Sequence, residues 1–154
     1  MTHVDVARAT MGASPERILA ALLDEEARTT WLPPDGMSGR FERFDARPGG
    51  GYRMVLTYDD PTVSGKSDGN KDVVEVRFAS VEPPHRLVEE VDFDSDDPAF
   101  AGTMTMTWSL DAATSGTVVT ITATDVPDGI SSSDHVAAFE STLRNLSEFL
   151  DRSG

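Results

Sequence analysis

The chain has 154 residues, a formal net charge of −14 and no cysteine. This length fits one domain over residues 1–154, and the lack of cysteine excludes disulfides, thiolate metal sites and thiol nucleophiles. Because the negative charge repels phosphate backbones and anionic lipid, we expect neither nucleic acid nor a membrane surface as a partner. The first residues show no signal peptide and no apolar run is long enough to span a bilayer, which favours a cytoplasmic location.

The N-terminal part of the chain predicts a strand followed by one or two short helices. Val4 and Val6 alternate with polar residues, as in a strand. Ser14 and Pro15 are typical of the N-cap and the first position of a helix. A second short helix is expected over residues 25–30, and the Pro-Pro pair that follows ends the helical pattern.

Between residues 37 and 124 the hydrophobic period changes to two, which predicts a series of strands. Met104 and Trp108 alternate with threonine, as in an antiparallel sheet with one buried face. A long helix follows, for which Ser133 or Asp134 is the expected N-cap. Its apolar stripe, spaced by three and four residues, consists of Val136, Phe139, Leu143, Leu146 and Leu150.

This order of elements predicts an α+β fold, since runs of strands without alternating helices do not build a parallel sheet. We expect a curved antiparallel sheet of six or seven strands that wraps around the long C-terminal helix. A straight helix cannot fit flush against a curved sheet, so a pocket is expected between them.

The side chains expected to line this pocket are apolar, adaptable or aromatic, and the same residue types would also fill a packed core. The candidates are Trp31, Phe41, Tyr52, Met54, Leu56, Val76, Phe78, Met104, Met106, Trp108, His135, Phe139, Leu143 and Leu146.

No motif for covalent or metal chemistry passes a test of its context. Residues 65–69 match the G-x-S-x-G pattern of serine hydrolases, but a strand follows where the nucleophile elbow needs a helix. His3, His85 and His135 lie in separate elements without the spacing of paired metal ligands. Arg53 has the parity of the solvent face. We therefore expect no catalytic residues, no metal and no cofactor, and a structural role for His135 in the first turn of the last helix.

Several local strings resemble the helix-grip proteins of the START/SRPBCC superfamily, within the group similar to the C-terminal domain of the activator of heat-shock-protein-90 ATPase. The first string begins with residues 14–18 and extends to Trp31, and the others lie at residues 47–53, 81–87, 117–121 and 135–150. The resemblance implies a helix-grip fold with a cavity that relatives use for apolar molecules. Ala138-Phe139 stands where the family commonly has Gly-Trp, and Trp31-Leu32 where it has Trp-Trp, so the lining of the cavity differs.

The leading hypothesis is a monomer or homodimer that binds a small apolar or amphipathic molecule in this cavity without covalent chemistry. One alternative is an enzyme of the cyclase or hydrolase kind, with His135 or a buried carboxylate as acid or base. Another is a module that contacts a chaperone through an apolar patch or an acidic face.

Overall fold

A computed structural model describes residues 3–153 and contains seven strands and three α-helices within them. The predicted α+β fold is confirmed. The elements are β1 (His3–Met11), α1 (Pro15–Leu22), α2 (Glu25–Trp31), β2 (Met37–Asp45), β3 (Gly51–Tyr58), β4 (Lys71–Glu82), β5 (Arg86–Phe93), a 3₁₀ turn (Pro98–Phe100), β6 (Thr103–Ala113), β7 (Gly116–Val126) and α3 (Ser132–Ser153).

The seven strands form one antiparallel sheet in the order β1-β7-β6-β5-β4-β3-β2. Strands β2 to β7 follow one another as neighbours, as in a meander, whereas β1 pairs with β7 at the far edge. Trp108 of β6 lies opposite Leu87 of β5 on one side and Ile121 of β7 on the other. These three side chains are fully buried, so the inward face of the central strands carries the core.

The core lies between this inward face and α3. Phe139, Leu143 and Leu146 of the helix are buried, as the three-and-four spacing predicts. The two tryptophans, Trp31 and Trp108, meet edge to face with ring centroids 5.6 Å apart. Burial of these large side chains contributes to the apolar contact that holds α2 and α3 on the sheet.

Local sequence explains where each helix begins. The side chain of Ser14 accepts a hydrogen bond from the Arg17 amide, and Asp24 caps α2 in the same way. At α3 the cap is Ser131, whose hydroxyl accepts from the Asp134 amide at 3.2 Å. The expectation of Ser133 or Asp134 as the N-cap is therefore wrong, because both already lie inside the first turn of the helix.

Strand β1 turns its valines away from the core. Val4 is 58% exposed and Val6 40% exposed, while Asp5 and Ala7 between and after them are buried. The register with β7 sets this parity, and it shifts between His3 and Asp5. A charged side chain thus occupies an inward position that residue type alone would assign to a valine.

The outward face of the sheet carries a network of ion pairs. Arg53 projects outward, as its parity indicates, and its guanidinium contacts Glu42, Glu75 and Asp94 at 2.7 to 3.4 Å. Within residues 3–153, none of the helices combines the length and the apolar character needed to cross a membrane.

Candidate functional site: a pocket between the last helix and the sheet

A pocket of about 230 Å³, partly open to solvent, lies between α3 and the inward face of the sheet. Its floor comes from five adjacent strands, β3 to β7, and its roof from the first three turns of α3. The segment between α2 and β2 forms one side, and hydrogen bonds fix it to the helix: Ser141 accepts from the Asp35 amide, and Thr142 donates to the Leu32 carbonyl. These two hydrogen bonds therefore hold this side of the pocket against the roof.

Nine of the side chains proposed from the sequence line this pocket. They are Tyr52, Met54, Leu56, Val76, Met104, Met106, Trp108, His135 and Phe139. The other five, Trp31, Phe41, Phe78, Leu143 and Leu146, do not line it. Four of these are buried in the surrounding core, and Phe41 packs half-buried against Phe44 and Tyr52. A role in ligand binding for the nine stays a prediction.

Six further polar side chains of the wall were not among those proposed from the sequence. They are Tyr58, Lys66, Asp72, Glu89, Asp134 and Thr142. For Glu89 a signal was present, because it has the same parity as Leu87 and Val91, the inward-facing residues of β5. For Lys66, in the loop before β4, no periodic signal exists.

The first polar group of the wall is a buried ion pair. Arg28 of α2 is fully buried, and one of its terminal nitrogens donates to Glu89 Oε2 at 3.0 Å. Its other two nitrogens donate to the Tyr52 hydroxyl at 3.0 Å and to the Leu22 carbonyl. The second oxygen of Glu89 accepts from the Trp108 indole nitrogen at 2.9 Å. Both charges are therefore paired and hydrogen-bonded, as buried charges must be.

Three aromatic rings lie around the guanidinium of Arg28. The Arg28 guanidinium carbon lies 5.1 Å from the Tyr52 ring centroid, and the rings of Trp31 and Phe78 are within 5.7 Å. Cation–π attraction therefore adds to the ion pair. Burial, together with the negative charge of Glu89, raises the pKa of Tyr52 well above its usual value of 10, so the phenol stays protonated.

A second ion pair lies at the rim of the pocket. The Lys66 ammonium is 2.9 Å from Asp72 Oδ2, and the Lys66 amide donates to Oδ1 of the same carboxylate at 2.7 Å. The ammonium also lies 5.6 Å from the ring centroid of Phe93. These contacts hold the loop before β4 against the sheet and neutralise the charge of Asp72.

The third polar group joins β1 to α3. Nδ1 of His135 is 2.7 Å from Asp5 Oδ2, and Nε2 of His3 is 3.0 Å from the same oxygen. Burial lowers the pKa of His135 below its usual 6.5, despite the opposing effect of Asp5. Burial opposes ionisation of Asp5 as well, but hydrogen bonds from Ser132 and His135 hold its pKa below 3.8. At neutral pH, His135 is therefore neutral and Asp5 ionised.

His135 lies in the first turn of α3, as expected, and it is more enclosed than that position alone indicates. The His135 side chain is only 10% exposed, and its ring centroid lies 4.1 Å from that of Phe139. Across the described part of the chain, no group of His, Asp or Glu side chains is placed to hold a metal ion. Ser67 lies in the loop before β4, where its hydroxyl accepts from the Val73 amide at 2.7 Å, so it does not stand on a nucleophile elbow.

Comparison with known proteins gives a family match and many structural neighbours. The family model described as "Activator of Hsp90 ATPase homolog 1-like protein" matches residues 12–151. A crystal structure from Chromobacterium violaceum is similar with a TM-score of 0.82 and 27% identity, covering 94% of each chain. One from Rhodobacter sphaeroides has a TM-score of 0.75 and 24% identity, covering 96% of this chain and 91% of that one.

A third similar structure is DynU16, a protein from the dynemicin biosynthetic locus. It has a TM-score of 0.68 and 17% identity, and the match covers 96% of this chain and 47% of DynU16. At this identity the likeness shows the fold alone. No match is found among curated proteins.

Proposed function

The chain belongs to the family of Activator of Hsp90 ATPase homolog 1-like proteins, and we propose that it binds a small apolar or amphipathic molecule between α3 and the sheet. The observation that supports this is the open space of about 230 Å³ at that interface. An engineered protein cavity of about 150 Å³ is large enough to bind benzene. A molecule of about two fused rings therefore suits a pocket of this volume.

The wall of the pocket favours a molecule without net charge. Met54, Met104 and Met106 contribute flexible apolar surface that adapts to different shapes. The buried charges of the wall are already paired, Glu89 with Arg28 and Asp72 with Lys66. A charged ligand would lose its hydration without gaining an unpaired counter-charge from these groups.

The proposal is tested by binding of naphthalene and of a fluorescent naphthalene derivative to the purified protein. Ala138 lines the pocket, whereas its neighbour Ala137 is exposed on the outer side of the same helix. We expect Ala138→Phe to weaken binding at least about 10-fold by filling the pocket, and Ala137→Phe to bind as the unaltered protein does. Saturable binding that both substitutions leave unchanged would contradict the proposed location.

A second candidate function is contact with a chaperone of the Hsp90 type, and the family match favours it. The ATPase rate of a purified Hsp90-type chaperone, measured with and without this chain, tests the candidate. We expect a concentration-dependent change in that rate if the chain acts as such a module. If the chain forms no complex with the chaperone and leaves its ATPase rate unchanged even at high concentration, this candidate is ruled out.

Catalysis in the same pocket stays a prediction. It requires an ionisable group at the wall, and His135, Glu89 and Asp72 meet that condition. Conversion of a bound molecule to a new product, measured by mass spectrometry, is the observation that would establish it.

A further inference from the structure

We propose that the bound molecule carries a hydroxyl group, as in a phenol or an alcohol, and that Nε2 of His135 accepts its hydrogen bond. The inference rests on the proposed function and adds the chemical class of the ligand to it. It starts from the contact between His135 and Asp5, which fixes where the imidazole carries its proton.

An ionised carboxylate only accepts hydrogen bonds, so the atom of His135 that faces Asp5 must carry a hydrogen. That atom is Nδ1, at 2.7 Å from Asp5 Oδ2. In a neutral imidazole with a hydrogen on Nδ1, Nε2 has a free lone pair and acts as an acceptor. Asp5 is buried and also holds His3, so β1 keeps it in place.

The other ring nitrogen of His135, Nε2, has no hydrogen-bond partner in the part of the chain that the structure describes. No group within residues 3–153 donates a hydrogen bond to it, although the His135 side chain is nine-tenths buried. Every fully buried side-chain nitrogen or oxygen in the described part of the chain has a partner, so Nε2 must be reachable by solvent. Since His135 lines the pocket, a molecule in the pocket can meet this acceptor.

The surroundings select a neutral donor. A carboxylate has no hydrogen for Nε2 and would lie near Asp134, which also lines the pocket, while Lys66 is already paired with Asp72. An ammonium could donate, but it would lose its hydration against an apolar wall. A hydroxyl donates one hydrogen bond and costs much less to bury, so it fits both the acceptor and the wall.

The test compares 2-naphthol with naphthalene, which have the same ring body and differ by one hydroxyl. We expect the unaltered protein to bind 2-naphthol about 3- to 10-fold more tightly than naphthalene, the effect of one hydrogen bond. His135→Phe keeps an aromatic ring beside Phe139 but removes the acceptor, so the ratio of the 2-naphthol and naphthalene affinities should fall to about one, whatever the change in naphthalene affinity itself. His85→Phe is the matched control, because His85 is exposed and lies outside the pocket.

The outcomes separate this inference from the proposed function. If neither compound binds, the proposed function fails. If both bind equally to the unaltered protein, or if His135→Phe keeps the preference, only the hydroxyl assignment is overturned. Tighter binding of 2-naphthoate or of 2-(aminomethyl)naphthalene than of 2-naphthol would also overturn it.

Nitrogen NMR of the unaltered protein gives a second measurement that needs no variant. Before ligand is added, His135 should show a protonated Nδ1 and an unprotonated Nε2. Addition of 2-naphthol should shift the Nε2 resonance, and naphthalene should leave it in place. A hydrogen on Nε2 in the free protein, or equal shifts with both compounds, would contradict the proposal.

Discussion

Arg28 and Glu89 show how single residues decide the character of the pocket wall. Removing two charges from water is costly, and their attraction offsets that cost only when each is fully hydrogen-bonded. Here Glu89 accepts from Arg28 and from Trp108, and Arg28 also donates to Tyr52. The pair therefore fixes Tyr52 and Trp108, two side chains of the pocket wall, relative to α2.

Loss of one partner of the Arg28–Glu89 pair should lower the free energy of unfolding more than loss of both charges. Arg28→Met leaves Glu89 as an unpaired buried charge, so we expect the free energy of unfolding to fall by about 3–5 kcal/mol. Glu89→Gln added to Arg28→Met removes that charge and keeps an acceptor for Trp108, so the double variant should recover more than about 1 kcal/mol. Urea denaturation measures these values.

The exposed pair of Arg47 and Asp45 supplies the control for this prediction. Its partners lie at the surface, so Arg47→Met should cost less than about 1 kcal/mol. If the double variant were no more stable than Arg28→Met alone, the unpaired charge of Glu89 would not be the cause of the loss.

His135 makes stability depend on pH. Its pKa in the folded protein is lowered below 6.5 by burial, so between that lowered pKa and 6.5 the unfolded chain binds more protons. The free energy of unfolding should therefore fall as the pH drops below about 6.5. Asp5, whose pKa is held below 3.8, adds a second decrease below about that pH.

The contribution of His135 is isolated by comparison with a variant. Urea denaturation at about pH 8 and about pH 5 should show a larger loss for the unaltered protein than for His135→Phe, which has no imidazole to protonate at this position. The neighbouring ionisable side chains of His3, Lys66 and Asp134 are present in both proteins, whereas Asp5 loses its hydrogen bond from His135 in the variant. Equal losses would mean that His135 titrates alike in the folded and unfolded chain.

At the scale of elements, the start of β7 depends on one glycine. Gly116 has a φ of +141°, and a Cβ placed there would lie 2.0 Å from the Met11 carbonyl oxygen of β1. No side chain fits at this distance, so the approach of the two strands requires glycine. Gly12 lies beside Met11, but a Cβ on it would meet nothing within 4 Å.

We expect Gly116→Ala to lower the free energy of unfolding by at least about 2 kcal/mol, because the added Cβ meets backbone and the φ angle is strained. Gly12→Ala is the matched control and should change stability by less than about 1 kcal/mol. Thermal denaturation of the two variants measures the difference. Equal melting temperatures would show that β1 can move away from β7 without cost.

At the scale of the whole molecule, the fold could be predicted from the sequence because each element carries its own periodic pattern. The alternation of β6 and β7 and the stripe of α3 define one buried face each, and two such faces must meet. Most of the proposed pocket residues follow from the same patterns, although they do not distinguish Met54, which lines the pocket, from Leu146, which fills the core.

The pairing of the polar groups of the site could not be predicted in this way, because the two partners of each pair are distant in sequence. Asp5 and His135 are 130 residues apart, and Arg28 and Glu89 are 61 apart. No sequence pattern around either residue of a pair identifies its partner. The inward position of Asp5 depends on the register of β1 with β7, which tertiary pairing sets.

The pairing of β1 with β7 also sets an order of events during synthesis. Met11 of β1 lies opposite Thr117 of β7, so the two strands cannot join until more than a hundred further residues have been made. At about 5–20 residues per second, the ribosome takes on the order of 5–20 s to reach β7 after β1. Throughout that time Asp5 has neither its neighbouring strand β7 nor the side chain of His135. The site is completed only after α3 has been synthesised.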